Sequence, residues 1–386
     1  MDLSLFLQTP EALYDDASFE KGTIGAGVTS YSEGLDLTSF DVAIIGVLET
    51  RGASTAYTMF KGLADFRKCF GELYDHFPKV RLLDLGDVKP GNEVSDTYFA
   101  LQSVVKELVK SEVVPIIIGG TQDLTYANYL AYEELEQSVN LVTIDSMIDV
   151  GLLGDEVNDH NYMNRIITHQ PNYLFNYSCI GYQSYYVHPD LISLMEKLYF
   201  DAYRLGKIKE SIAEVEPIVR GADLISFDLA AVKSGDAPGT KAFSPNGFTG
   251  VESCQISRYA GISDKVTSFG IYNYCPDEDL KGEGATLLAQ ICWYFLDGFN
   301  SRVGDYPVSS ISNCTRFRVL VDDSTPELSF FKSEKSGRWW IEVPHPENEK
   351  FKHERHTYMS CSYQDYQDAL KGEIPERWWQ AYQKML

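Results

Sequence analysis

The sequence lacks the features that would place the protein in a membrane or on nucleic acid. No stretch stays apolar over the roughly 20 residues that cross a bilayer, and residues 1–6 lack the basic flank and longer apolar region of a signal peptide. Basic residues are scarce, since 33 Lys and Arg stand against 56 Asp and Glu and give a net charge of −23. This charge disfavours nucleic acid and anionic membrane surfaces as partners. We therefore expect a cytoplasmic protein without membrane insertion.

Motifs for several common chemistries are also missing. The seven cysteines are dispersed, odd in number and without a CxxC pair, so they indicate buried thiols rather than a disulfide framework or a zinc site. The sequence has no Walker loop, dinucleotide fingerprint or serine nucleophile elbow. Nucleotide binding and serine-based acyl transfer are therefore not indicated.

What the sequence does contain is an alternation of short apolar runs with longer segments of helical spacing, in a chain that is 44% hydrophobic. This alternation predicts an α/β fold in three layers, with helices covering a mostly parallel central sheet. The predicted strands cover residues 42–47, 81–85, 114–118, 141–144, 179–182, 224–227 and 266–272. The predicted helices cover residues 96–109, 190–205 and 285–299.

Three polar motifs follow predicted strands. They are Gly119-Gly120-Thr121-Gln122-Asp123, then Asp145-Ser146-Met147-Ile148-Asp149, then Ser226-Phe227-Asp228-Leu229-Ala230. Open α/β sheets bind their ligands at the carboxyl ends of strands. We therefore expect the acids of the second and third motifs to share one cleft.

In order, context and spacing these motifs resemble those of the ureohydrolases, the family of arginase, agmatinase and formimidoylglutamase. The family's versions read Gly-Gly-Asp-His, Asp-Ala-His-x-Asp and Ser-x-Asp-x-Asp. The resemblance implies an arginase-like domain over residues 40–300, with an N-terminal arm at 1–39 and a C-terminal extension at 301–386. It also implies a homo-oligomer, and hydrolysis of an amidine or guanidine C–N bond by hydroxide held between two manganese ions.

Two further segments resemble one particular branch of this family. Asp236-Ala237-Pro238-Gly239 and Ser244-Pro245-Asn246-Gly247 are similar to segments of the formimidoylglutamase-like branch found in Bacteroidetes. The resemblance therefore implies a linear amidine as substrate if the protein is active.

Carried over residue by residue, the resemblance places the family's two bridging carboxylates at Asp145 and Asp228. The first metal would keep Asp149 but has Gln122 in place of its His, and an amide oxygen is a weak, uncharged ligand. The second metal would lose both of its own ligands, because Met147 stands for its His and Ala230 for its Asp.

A thioether is a poor ligand for manganese, and a methyl group is no ligand at all. We therefore expect no metal or one weakly bound manganese ion, and no conventional binuclear cluster. Without a cation, three converging carboxylates repel one another, which should raise the pKa of at least one. Lys233, five residues after Asp228, is a candidate substitute for the metal's charge; the alternative is that it points into solvent.

The resemblance suggests two further site residues. His160 falls where relatives carry an Asn-His-Gly loop whose His shuttles a proton in arginases, although it is equally compatible with a surface histidine. Glu252 matches the Glu that holds the substrate's amidine group, and we favour this pocket position. Its alternatives are to cap a helix or to pair with a base such as Arg258.

The C-terminal extension contains four of the chain's five tryptophans, at positions 339, 340, 378 and 379. Residues 316–321 and 338–343 alternate like strands of a hairpin, with polar turns at 322–324 and 335–337, and a short helix is predicted at 363–370. Clustered tryptophan can anchor a protein partner. We favour packing onto the main domain and keep a partner site as the alternative.

Two functional hypotheses follow. The first is a ureohydrolase-fold pseudoenzyme that has lost binuclear manganese catalysis and serves as a binding or interaction protein, with the extension as the partner surface. The second is an active formimidoylglutamase-like hydrolase of linear amidines that uses at most one metal. Asp145, Asp149 and Asp228 would then generate hydroxide, His160 would shuttle the proton, and Glu252 would orient the amidine.

Overall fold

The computed structural model describes residues 3–8, 19–59, 62–151, 156–241, 244–307, 311–321, 327–344 and 357–385. The strands are β1 Leu7–Gln8, β2 Thr29–Ser30, β3 Val42–Val47, β4 Leu82–Val88, β5 Val114–Ile118, β6 Val139–Ile144, β7 Leu174–Tyr182, β8 Asp201–Arg204, β9 Leu224–Asp228, β10 Ser268–Tyr272, β11 Cys314–Val319, β12 Leu328–Ser333, β13 Trp339–Glu342 and β14 Tyr358–Cys361. The α-helices are α1 Ala64–Gly71, α2 Val94–Lys110, α3 Leu124–Glu133, α4 Tyr162–Thr168, α5 Pro189–Lys197, α6 Leu205–Glu210, α7 Val215–Arg220, α8 Gly250–Gly261, α9 Glu283–Asn300, α10 Tyr363–Leu370 and α11 Glu376–Met385.

The central sheet has the strand order β1-β4-β3-β5-β10-β9-β6-β7-β8, with β2 also paired to β4. Its strands run parallel except for β1, which pairs antiparallel to β4. Every residue of β3, β5 and β9 is buried. Continuous burial is expected when helices cover both faces of a parallel sheet.

Helices cover the sheet on two sides and complete the three predicted layers. Alternate residues of β3 show the division, because Val42 and Ile44 join one apolar cluster while Ala43 and Ile45 join the other. The first cluster includes side chains of α1, α7, α8 and α9, and the second those of α2, α3, α4 and α5. The three-layer prediction is therefore confirmed. No helix in the described ranges combines the length and apolarity that a membrane crossing requires.

The prediction of one helix over 190–205 is wrong. Helix α5 ends at Lys197, and Tyr199 then adopts a left-handed backbone conformation with φ of 56°. The chain continues as β8, which pairs with β7 and forms an edge of the sheet. Helical spacing could not reveal this break, because β8 is defined by pairing with a strand that is distant in the sequence.

The C-terminal extension forms its own antiparallel sheet in the order β11-β12-β13-β14. The strands predicted at 316–321 and 338–343 correspond to β11 and β13, but the two are not direct neighbours, since β12 lies between them and pairs with both. The predicted turn at 322–324 lies outside the described residues. The short helix predicted at 363–370 is confirmed as α10.

The extension docks on the main domain through Arg220 of α7. Its guanidinium lies 4.5 Å from the ring centroid of Trp340 and donates hydrogen bonds of 3.1 Å to the backbone carbonyls of Trp339 and Cys361. Trp378 is also buried, whereas Trp379 is 46% exposed. Most of the tryptophan surface in the extension is therefore used for packing, as favoured from the sequence.

Candidate functional site

The three motifs meet at one edge of the sheet. Gln122 follows β5, Asp145 follows β6, and Asp228 is the last residue of β9. These strands are close neighbours in the order β5-β10-β9-β6, and all run in the same direction. Their carboxyl ends therefore converge, as the sequence predicted.

Asp145 occupies the centre of this edge and is only 1% exposed. Its Oδ1 accepts a 2.8 Å hydrogen bond from the backbone N–H of Met147. Its buried Oδ2 has no donor among the described residues, and the carboxyl of Asp149 is the neighbour that can share a proton with it. Burial, followed by the charge of Asp149, raises the pKa of Asp145 well above its ordinary value.

Asp149 and Asp228 are equally enclosed, with exposures of 2% and 4%. Oδ1 of Asp228 accepts hydrogen bonds of 2.8 Å from the Ala230 N–H and 3.0 Å from the Asn273 amide. Burial is the main cause that raises the pKa of both carboxyls well above the ordinary value, and neighbouring carboxylates add to it. The expectation that convergence raises the pKa of at least one acid is therefore confirmed in direction.

The three replaced ligand positions lie beside these acids. The amide nitrogen of Gln122 donates a 3.4 Å hydrogen bond to the hydroxyl of Ser226, so the first and third motifs are in contact. Met147 is half-buried and Ala230 is buried. Neither of these two side chains offers an oxygen or nitrogen donor at the cleft.

His160 lies at the outer rim of the carboxylates. Its imidazole is 46% exposed, with Nδ1 3.8 Å from Oδ1 of Asp149 and Nε2 4.0 Å from Oδ1 of Asp159. Its backbone N–H is held by the side chain of Asn158 at 2.9 Å. The structure thus brings His160 to the cleft while leaving it open to solvent.

Two acids of the cleft were not identified from the sequence, although both stand beside residues that were. Asp123 is fully buried and accepts a hydrogen bond from the hydroxyl of Tyr98, while its Oδ1 has no partner among the described residues. Burial raises the pKa of Asp123 to about 6, and the charge of Asp159 contributes in the same direction. Their positions in the sequence could have identified them, because Asp123 directly follows Gln122 and Asp159 directly precedes His160.

A loop at Gly52 ties these two acids together. The carbonyl of Gly52 accepts a 2.9 Å hydrogen bond from the Asp159 N–H, and the Ser54 N–H donates to Oδ1 of Asp159 at 2.8 Å. A Cβ atom at Gly52 would stand 2.2 Å from Oδ2 of Asp123. Only glycine allows the loop to approach this carboxylate so closely.

The structure does not bring Lys233 to the carboxylates. Its Nζ lies 3.0 Å from Oδ1 of Asp236, and its side chain is 37% exposed. The backbone N–H of Lys233 is bonded to the Phe248 carbonyl. From this position the Lys233 side chain points away from the cleft, toward Asp236 three residues later. The hypothesis that Lys233 replaces the metal's charge is not supported by this placement.

Glu252 is the third residue of α8 and caps the helix. Its Oε2 accepts from the Thr249 N–H at 2.7 Å and from the Lys209 ammonium at 3.0 Å, while the Thr249 hydroxyl accepts from the Glu252 N–H. The structure shows the capping alternative, and the base that pairs with Glu252 is Lys209, because Arg258 pairs with Asp297. The pocket role of Glu252 stays a prediction. Partial burial opposes ionisation, but the bonds from Thr249 and Lys209 outweigh it and lower the pKa of Glu252.

Glu252→Ala should lower the free energy of unfolding by about 1 kcal/mol, because it removes half of a capping box. Glu252→Gln should retain most of that stability, since glutamine accepts the same backbone hydrogen bond. The lowered pKa means that the wild-type carboxylate stabilises the fold above its ordinary pKa and loses this contribution as pH falls through the lowered value. Urea titrations between neutral and acidic pH should therefore show the unfolding free energies of Glu252→Gln and the wild type converging as the pH falls. A difference in unfolding free energy that stays constant with pH would contradict the role of the Glu252 carboxylate in the cap.

The donors at this edge do not match those of a binuclear manganese centre. Within the described parts of the chain, no three His, Cys, Asp or Glu side chains are grouped so that they could hold a metal ion. The positions of Met147 and Ala230 supply no donor that a hard cation favours.

Comparison with known proteins agrees with this architecture. The model of the Arginase family matches residues 45–297. The formimidoylglutamase of Streptococcus gordonii is 22% identical over 231 residues, which cover 56% of this chain and 70% of that protein. The formimidoylglutamase of Staphylococcus haemolyticus is 26% identical over 247 residues, which cover 59% of this chain and 75% of that protein.

Solved structures of the same family share the fold. The formiminoglutamase of Trypanosoma cruzi with Mn²⁺ superposes with a TM-score of 0.64 at 18% identity, covering 70% of this chain and 97% of that one. The formimidoylglutamase of Bacillus subtilis gives a TM-score of 0.66 at 17% identity, covering 78% and 98%. Because the family match spans well over half of the sequence, this chain belongs to the arginase family, the ureohydrolases.

Proposed function

We propose that this chain is a ureohydrolase-family protein that has lost binuclear manganese catalysis and serves as a binding protein. The observation that carries the proposal is the pair Met147 and Ala230, which occupy both positions where the family supplies the second metal's own ligands. Binuclear hydrolysis depends on two cations that together acidify and aim one water molecule. With only bridging carboxylates left for the second ion, that ion lacks the donors it needs.

The surroundings of the surviving acids support the same conclusion. Asp145 and Asp228 each turn one oxygen back to a local backbone N–H, and Asp145 is poised to share a proton with Asp149. All three acids are less than 5% exposed. Hydrolysis at this point would require substrate and water to reach carboxyls that are enclosed by the protein.

The extension supplies a surface for a partner. Trp379 is the tryptophan of the extension that remains substantially exposed, and it lies on the same helix as the buried Trp378. An exposed indole on a helix anchored by its neighbour is suited to contact another protein. The homo-oligomer implied by the family is part of this proposal. Light scattering of the wild type and of Trp379→Glu measures the molar mass in solution and so tests it.

A second candidate is a hydrolase of linear amidines that uses at most one metal. It is favoured by His160, whose Nδ1 lies 3.8 Å from Asp149 and whose imidazole also reaches solvent, as a proton shuttle requires. The structure gives less support to Glu252 as the group that orients the amidine, because this carboxylate is engaged by Thr249 and Lys209. Curated formimidoylglutamases among the relatives make this the activity to test.

Metal analysis combined with an activity assay separates the two candidates. The purified protein, dialysed against manganese, should contain less than one manganese ion per chain and should not hydrolyse formiminoglutamate, agmatine or arginine. Asp228→Ala should leave both results unchanged. Stoichiometric manganese together with turnover that Asp228→Ala abolishes would overturn the pseudoenzyme proposal. A manganese-dependent formimidoylglutamase assayed in parallel controls for the conditions.

A further inference from the structure

A second cavity lies between the central sheet and the C-terminal extension, away from the acids described above. One wall is a single face of β6, β7 and β8, and it carries Asn140, Asn176, Ser178 and Asp201. Residues two apart on a strand share a face, so these polar side chains lie on one face of the sheet together with Val142 and Tyr203. The inner face of a helix-covered parallel sheet is normally apolar.

The opposite wall belongs to the extension. Helix α11 contributes Arg377, Gln380 and Lys384, and β14 contributes Ser360. The volume of the cavity itself is about 70 Å³, and the space reaches about 550 Å³ when the open solvent at its mouth is included. This cavity therefore exists only because the extension packs against the sheet.

Several groups in the cavity lack the partners that buried polar atoms normally have. Ser360 is 3% exposed, and its hydroxyl has no hydrogen-bond partner among the described residues. The side-chain oxygen of Asn140 is also buried and has no hydrogen-bond partner among the described residues. The side-chain nitrogen of Asn140 donates a 2.9 Å hydrogen bond to the Gly221 carbonyl. A buried donor or acceptor without a partner is unfavourable, so a bound polar molecule would stabilise both.

The charges of the cavity are arranged on opposite sides. Lys384 donates a hydrogen bond to the side-chain oxygen of Asn176, and its ammonium lies 5.1 Å from the ring centroid of Phe200. Burial lowers the pKa of Lys384 to about 8, with Asp201 acting against that shift. Asp201 is therefore the carboxylate whose charge acts on this ammonium.

Asp201 and Arg377 are the other charged side chains that line the cavity. Oδ2 of Asp201 accepts hydrogen bonds of 2.9 Å from both Asn176 and Ser178, which hold the carboxylate in place on the sheet. The Arg377 Nε lies 3.5 Å from Oδ2 of Asp365, a separation that leaves the guanidinium loosely paired. Arg377 and Lys384 of the helix thus lie across the cavity from Asp201 on the sheet, and Asp365 is a second carboxylate beside Arg377.

We propose that this cavity binds a free α-amino acid, with its carboxylate at Arg377 and Lys384 and its ammonium group at Asp201. Hydroxyl and amide groups of Ser360 and Asn140 would complete its hydrogen bonds. Asn140 stands five residues before Asp145 on the same strand run, or about 16 Å along the sheet at the usual rise per residue. The amino-acid site is therefore separate from the carboxylate cleft and does not depend on the function proposed for it.

Calorimetric titration of the full chain with each of the twenty standard L-amino acids tests the site. At least one should bind, and its deaminated acid and its decarboxylated amine should each bind at least about tenfold more weakly, since each lacks one charged contact. Lys384→Met, which keeps the apolar stem, and Asp201→Asn, which keeps the shape, should each weaken binding by a similar factor. Lys371→Met, an exposed lysine of the same extension, is the matched control and should change nothing.

The assignment would be overturned if no amino acid binds the wild type at millimolar concentration. It would also be overturned if the acid or the amine binds as tightly as the amino acid, or if both variants bind the amino acid normally. Preferential binding of inorganic phosphate would also overturn it. Melting curves of the variants establish that the extension is still folded. Because manganese content and amidine hydrolysis are measured separately, failure here leaves the proposed function standing, and the reverse also holds.

Discussion

The triple variant Gln122→His, Met147→His and Ala230→Asp is expected to bind about two manganese ions per chain, where the wild type binds fewer than one. The three changes restore two imidazoles and one carboxylate at the positions where the family carries them. Gln122 follows β5, and the other two positions lie two residues after Asp145 and Asp228. Imidazole and carboxylate are donors that manganese accepts, whereas thioether and methyl groups are not.

Metal content after dialysis measures this effect, with manganese-dependent thermal stabilisation as a second readout, because a ligand that binds only the folded state raises the melting temperature. The single variant Gln122→His is the matched control. It improves the first site alone and leaves Met147 and Ala230 in place, so it should hold at most one ion. A triple variant that folds but remains free of manganese would contradict the proposal that these three donors decide metal binding.

Trp378→Ala is expected to lower the free energy of unfolding by about 3–5 kcal/mol, the range for removing a large aromatic side chain from a core. Trp378 is fully buried, stacks on Tyr382 with ring centroids 5.0 Å apart, and donates a 2.8 Å hydrogen bond to the Glu342 carbonyl. It therefore joins α11 to β13. Its loss leaves a cavity and an unpaired carbonyl at that junction.

Trp379→Ala provides the comparison, because it removes the same side chain from the next position of the same helix. Trp379 is 46% exposed, so the change should cost less than about 1 kcal/mol. Denaturant titration followed by circular dichroism measures both variants. Equal losses would contradict the view that packing of the extension depends on the buried face of α11.

Much of the main domain could be predicted from the sequence because its strands are short apolar runs that are buried on both faces. Residues 42–47 and 114–118 were predicted with the bounds that the structure has. Such runs are recognisable without knowledge of their neighbours, since burial on two faces demands apolar residues at every position. The short edge strand β8 was missed for the opposite reason, as its half-exposed residues carry no such pattern.

The extension was predicted less well. The alternating residues of β11 and β13 were recognised, but the pairing of both with β12 was not. Strand pairing depends on which surfaces meet after the chain has folded. Packing of Trp340 against Arg220, 120 positions earlier in the chain, is likewise decided by that meeting.

The sequence by itself determined the family and the sheet edge at which the three motifs converge, because these follow from residue types and their order along the chain. Only the tertiary structure decided which neighbours these residues have. It placed Asp123 and Asp159 beside the predicted acids, turned Lys233 toward Asp236, and engaged Glu252 in a helix cap. A carboxylate's pKa and an ammonium's partner depend on distances of a few ångströms between chain segments that are far apart in the sequence.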